Sequence, residues 1–354
     1  MLQSVTSAPK PDLIEAGASQ RLPALDTVRG LAIIFVVIGH YLPGRLLDGL
    51  WAAPARPFGI GGVVLFFFLS GFLIERQLSR ADGLARYGIR RACKIMPAYL
   101  VCLGVILLLD RLSPASPQWS PRTVLANSTL MQDVFGAPLM CGVFWTLLIE
   151  VKFYALAPLL MRGGKWALYL MPLILLSMNL AIFALRGETS NLATFLTFCF
   201  IGMQFGLWHR GEMPVAILGA GIILAAVSCH LLGKYYNWGV VTLILIDAML
   251  MMVALRRPFE LPALSFIGII SYSWYLYHAA LGYPMVDWLS AALRTFPFGG
   301  EALSVAITVP VTLLAAWFSF VVVEEKGVSF GKRVERFLKR SQTSAATAPR
   351  IERG

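Results

Sequence analysis

Apolar stretches of membrane-spanning length follow one another through this 354-residue chain. Ten can be marked, at about 26–42, 59–75, 92–109, 143–161, 166–185, 191–208, 214–232, 238–255, 263–286 and 302–323. Roughly 20 apolar residues in a helix cross the hydrocarbon core of a bilayer. No water is present there to bond backbone amides, so such a segment must satisfy them internally as a helix. The succession predicts an all-α polytopic membrane protein, a bundle of about ten transmembrane helices. Composition excludes a soluble body: charged residues make up 14%, against about 25% in soluble domains. The second span, 59–75, is expected to be short and interrupted at Gly59, Gly61, Gly62 and Gly71.

Residues 1–20, rich in Ser, Ala and Pro, read as a flexible cytoplasmic tail rather than a signal peptide. Residues 21–325 form the transmembrane domain, and 326–354 a basic cytoplasmic tail, amphipathic at its start. With the N-terminus inside, 22 of the 30 Lys and Arg fall on inner segments and seven on outer ones. Lys152 lies within a span. Cytoplasmic loops collect such residues, so both termini are expected in the cytoplasm. The net charge of +11 is thereby explained by topology and gives no reason to invoke nucleic acid. The five cysteines show no disulfide or zinc-ligand spacing, and no metal site is expected.

Ionisable groups inside a bilayer are costly and point to function. In the first span Arg29 and His40 are eleven residues apart. They share one helix face and lie about 16 Å apart along the axis. Thr146, Glu150 and Tyr154 make a polar stripe on the fourth span, and Ser271, Tyr275 and His278 another on the ninth. Topology places His40, Glu150 and His278 at similar depth in the outer half of the membrane. An incidental placement of the histidines in an aromatic belt is the competing reading. Asp247 and Lys152 both fall near mid-membrane and are expected to pair. His209 and His230 read as interfacial. On the inner side, Arg76 to Lys94 holds six basic residues and one acid. Such a cluster is either a plain topology determinant or a site for a phosphorylated polyanion. No glycine-rich P-loop is present to support nucleotide hydrolysis.

Five segments in order resemble the acyltransferase-3 family of integral-membrane acyltransferases, which modify bacterial surface sugars. LPALDTVRGLAIIFVVIGHY carries the Arg-x10-His pattern, and VVLFFFLSGFLI the apolar run closing on Ser-Gly-Phe. YGIRRACKIMPAYL, FWTLLIEVKFYALAPLL and IISYSWYLYHAAL resemble the basic segment, the Trp-x-Leu-x-x-Glu helix and the Tyr-Leu-x-His helix. The chain departs from the family in reading Arg91-x-x-Lys94 for Arg-x-x-Arg, Val151 for a second acid, and VVVEEKG without the usual proline. Lys keeps the charge and loses the bidentate fork.

The resemblance implies transfer of an acyl group, most often acetyl, from cytoplasmic acyl-CoA to a carbohydrate hydroxyl. It places the protein in the bacterial inner membrane among lipid, with no permanently bound cofactor. His40, Glu150 and His278 are then the catalytic candidates. His40 would serve as general base or acyl relay, since an imidazole titrates near neutrality. Tyr275, Tyr154 and Ser271 would bind the acceptor. Arg29, Arg90, Arg91 and Lys94 would hold donor phosphates, and Ser70 and Gly71 would let the acyl arm approach the helix backbone. The acceptor stays open between an exopolysaccharide, lipopolysaccharide, a periplasmic glucan and a small glycosylated metabolite. A succinyl- or longer-chain acyltransferase of the same fold is one alternative. A transporter or flippase of a polar metabolite or lipid-linked sugar is another.

Overall fold

A computed structural model describes residues 22–41, 55–79, 83–112, 118–232, 238–294, 296 and 300–347. The expected flexible tail at 1–20 and the end of the chain after 347 lie outside them. The described residues are helical, with no strand among them. In chain order the helices are α1 (Pro23–Tyr41), α2 (Ala55–Leu78), α3 (Leu84–Leu112), α4 (Pro121–Ser128), α5 (Phe144–Met161), α6 (Gly164–Arg186) and α7 (Asn191–His209). There follow α8 (Val215–Leu232), α9 (Trp238–Arg256), α10 (Pro262–Ile269), α11 (Ser271–Ala280), α12 (Gly282–Ala292), α13 (Gly300–Ser319) and α14 (Glu325–Thr347).

Nine helices among the described residues are long and apolar enough to cross a membrane, one fewer than the ten expected. The difference is the ninth span. Its stretch 263–286 is divided among α10, α11 and α12, with breaks at Ile270 and Leu281. The second span departs in the opposite direction. It is one helix of 24 residues rather than a short, interrupted one. Its glycines serve close packing instead of breaking the helix. A Cβ on Gly71 would lie 2.0 Å from the Cys199 carbonyl oxygen of α7, and one on Gly202 of α7 would lie 2.5 Å from that of Phe68. Small residues let the two backbones approach where lipid supplies no hydrophobic drive for association. Gly30 of α1 and Gly268 of α10 meet in the same way.

The α1, α2 and α7 helices form the centre, and α7 is almost wholly buried. Rings of Phe67 and Phe68 from α2 interlock with Phe195, Phe198 and Phe205 of α7 at centroid distances of 5.3–5.8 Å. The α6 and α8 helices leave many large apolar side chains exposed, as lipid-facing helices do. The α13 helix passes into α14 through a π-helical turn, Phe320–Glu324. Gly331 then lets α14 lie against Cys93 of α3, and Arg90 pairs with Glu335. This framework sets α1, α2, α3, α5, α11 and the π-helical turn around a shared interior.

Candidate functional site

Two polar clusters occupy that interior. The first joins the C-terminal ends of α1 and α11. His40 Nδ1 and His278 Nε2 are 2.8 Å apart. Their rings lie within 6° of coplanar, with centroids 5.1 Å apart. Rings that far apart with nitrogens that close meet edge to edge, the geometry of a directed hydrogen bond. His278 is fully buried, and its Nδ1 lies 3.2 Å from the Trp274 carbonyl oxygen one turn earlier. The Tyr41 hydroxyl donates to the His278 carbonyl oxygen at 2.5 Å. Tyr283 adds a ring 5.8 Å from His40.

The second cluster lines a cavity of about 100 Å³. Glu150 is its centre. Its Oε1 accepts from Ser70 Oγ at 2.9 Å and from the Tyr154 hydroxyl one turn away on α5. Three cations line the same space. Arg29 pairs with Asp26 at 3.5 Å. Arg91 donates to the Gln77 side-chain oxygen and sits over the Tyr154 ring at 5.4 Å. Lys94 has no direct hydrogen bond or ion pair among the described residues. Opposite them the π-helical turn delivers Glu324, which accepts from buried Ser273 at 2.8 Å. Burying charge is costly unless partners surround it. Here carboxylates, cations and hydroxyls supply those partners to one another.

Tyr275 connects the clusters. It lines the cavity, and its ring centroid is 5.4 Å from that of His278. Its hydroxyl is held by Thr146 at 2.6 Å and donates to the Val143 carbonyl oxygen at 3.0 Å.

Most of the residues expected from the sequence meet as these two groups, with changes of role. His40 and His278 come together, but Glu150 is not with them. It shares its cavity with Arg29, about 16 Å along α1 from His40. Among the described residues Glu150 bonds Ser70 and Tyr154 rather than either imidazole. Ser70, Arg29, Arg91, Lys94, Tyr154, Ser271 and Tyr275 all line the cavity. Arg90 does not; its guanidinium is held by Glu335 of α14. Gly71 does not either, since it faces the α7 backbone and leaves no room for an acyl arm.

Lys152 and Asp247 do not pair. Lys152 reaches Asp133 in the loop between α4 and α5. Asp247 is fully buried beside Gly61, and neither of its oxygens has a hydrogen-bond partner among the described residues. Glu324 was missed by sequence reasoning. Its signal was available: a Glu-Glu pair following directly on an apolar span. Outside the spans, Arg210 donates to Glu212 at 2.7 Å and to Glu75 at 2.8 Å. That guanidinium holds the Glu212 carboxyl below the usual carboxylate range.

A family model described as an acyltransferase domain matches residues 22–323. Nodulation protein 10 of Rhizobium leguminosarum bv. viciae is 28% identical over 139 residues, 34% of this chain and 37% of that protein. Peptidoglycan O-acetyltransferase OatA of Listeria monocytogenes is 28% identical over 169 residues, 41% of this chain and 25% of its own length. O-acetyltransferase OatA of Staphylococcus aureus is 25% identical over 323 residues, 76% of this chain and 51% of that protein. The alignments thus span about half, or less, of these relatives. No solved structure matches.

Proposed function

The chain belongs to the acyltransferase-3 family, and from that membership we propose that it is a membrane-embedded O-acyltransferase of surface carbohydrate. It takes an acyl group, acetyl by preference, from cytoplasmic acyl-CoA and delivers it to a hydroxyl of an exopolysaccharide or related glycan. The protein sits in a bacterial inner membrane with both termini in the cytoplasm, as the 22-to-7 division of its Lys and Arg favours.

The observation that carries this reading is the linkage of a cation-lined cavity to an imidazole pair through Tyr275. The cavity is the donor side. Among the described residues Lys94 makes no direct hydrogen bond or ion pair, so its ammonium can meet a donor oxygen. Arg29 and Arg91 add positive potential. Phe66, Leu73 and Ile95 wall the space, and its volume suits a short acyl group. The names of two relatives, both O-acetyltransferases, point to the same group.

His40 is the acceptor side. The acceptor hydroxyl gives its proton to the imidazole as its oxygen bonds to the acyl carbonyl carbon. The carbon–sulfur bond breaks and the thiolate leaves with the electron pair. The proton taken by His40 is balanced, through solvent, by protonation of that thiolate. Such proton transfer contributes about 10²–10⁴-fold to rate. Full-length protein in proteoliposomes, given radiolabelled acetyl-CoA and a soluble glycan acceptor, should label the glycan. Label must fail to appear without the protein. Translocation of glycan in the absence of any donor, with no label transferred, would instead identify a transporter.

A further inference from the structure

We propose, building on the acyl-transfer reading above, that His278 is a positioning residue which fixes the tautomer of His40. His40 then presents its lone pair on Nε2. The argument starts from the Trp274 carbonyl oxygen, which can only accept. His278 Nδ1 lies 3.2 Å from it, so Nδ1 carries the hydrogen. A neutral imidazole has one N–H, which leaves the lone pair of His278 on Nε2. That lone pair faces His40 Nδ1 at 2.8 Å. His40 Nδ1 therefore carries its hydrogen and donates it, and His40 Nε2 is left as the base.

The reverse arrangement would turn a nitrogen lone pair of His278 against the carbonyl oxygen. His278 is fully buried, so water cannot relieve that repulsion, and a buried polar group left unsatisfied is costly. The backbone holds the donor end in place. Tyr41 donates to the His278 carbonyl oxygen, tying the end of α1 to α11 beside the pair. The facing groups on neighbouring elements are the phenols of Tyr41, Tyr275 and Tyr283. No carboxylate bonds either ring among the described residues.

His278 thus occupies the place that a carboxylate takes in a serine-hydrolase triad, where the third group orients the base and holds its tautomer. A neutral ring does so without adding a buried negative charge. When His40 Nε2 accepts the acceptor's proton, His40 Nδ1–H keeps its hydrogen bond to His278 Nε2, and the imidazolium is stabilised where it forms.

The test has a spectroscopic arm and a kinetic arm. The chain has four histidines, so ¹⁵N-histidine labelling in nanodiscs gives few signals, with His40 assigned by its loss in His40→Gln. At a pH where it is neutral, His40 should show a protonated Nδ1 and an unprotonated Nε2. The opposite pattern overturns the proposal. In the kinetic arm, His278→Gln supplies an amide oxygen that accepts from His40 and should retain kcat to within about tenfold. His278→Leu should lose kcat by about 10²-fold or more with the donor KM unchanged. Equal losses in the two variants, or a loss confined to KM, would also overturn it. If the wild-type protein transfers no acyl group, the acyl-transfer reading fails, and the nitrogen shifts still decide the tautomer.

Discussion

The two polar clusters are built on opposite rules. At the one expected on the outer side, His40 and His278 satisfy each other and a backbone carbonyl, among aromatic rings and, among the described residues, without a carboxylate bonded to either ring. At the one expected on the inner side, Arg29, Arg91, Lys94, Glu150 and Glu324 crowd formal charges around a cavity, and Lys94 makes no direct hydrogen bond or ion pair among the described residues. A pair joined by a single N–H···N bond leaves a ring nitrogen able to accept a proton. A charged cavity with an unpaired ammonium is ready to take a polar or anionic ligand. On the proposed function, the division of labour between base and donor holder would correspond to this difference in how each cluster balances its charge.

The largest effect that would sharpen this contrast is on the outer cluster. His40→Ala should lower acyl transfer by about 10²–10⁴-fold. Binding of CoA, measured by calorimetry on purified protein, should be unchanged. A parallel loss of CoA binding would break the separation of the clusters. On the inner cluster, Lys94→Met should weaken donor use by about 10–100-fold in kcat/KM, the value of a hydrogen bond to a charged group. Here His40's role is intact, so single-turnover transfer at saturating donor should recover part of the loss.

The packing of α2 on α7 at the centre of the bundle offers a smaller handle. Gly71→Ala puts a methyl against the Cys199 carbonyl. Overpacking of this kind costs about 1–3 kcal/mol, read as a lower midpoint of thermal unfolding in detergent. An unchanged midpoint would mean that α2 and α7 can separate freely there. Smallest is the Lys152–Asp133 pair, which is part exposed. A double-mutant cycle with Lys152→Met and Asp133→Asn should give a coupling of about 0.2–1 kcal/mol. The same cycle between Lys152 and Asp247→Asn should give none. Coupling to Asp247 would restore the pairing expected from residue counts alone.

Legibility in the sequence followed the range of the interactions. Span positions and helical state were readable because apolar length and backbone hydrogen bonding are local properties. The α5 stripe of Thr146, Glu150 and Tyr154 was readable for the same reason: a 3.6-residue period aligns them whatever surrounds the helix. The 24-residue continuity of α2 was not, since a glycine that breaks a helix and a glycine that packs one look alike in sequence. Arg90 and Arg91 are neighbours in the chain, yet one meets Glu335 and the other enters the cavity. Successive positions on a helix point about 100° apart, and only the packing of α14 decides which faces inward.

From the sequence alone follow an all-helical membrane bundle, the asymmetry of its basic residues, and the presence of an Arg and a His in the first expected span, a Glu in the fourth and a His in the ninth. Each rests on short-range periodicity or on the cost of polarity in lipid. Tertiary structure decided which of those residues meet. His40 finds His278 across 238 positions of chain, while Glu150 finds Ser70 across 80. The breaks between α10, α11 and α12, and the π-helical turn that carries Glu324, are likewise seen only in the tertiary structure. No periodicity within one helix encodes the depth at which it meets its neighbour.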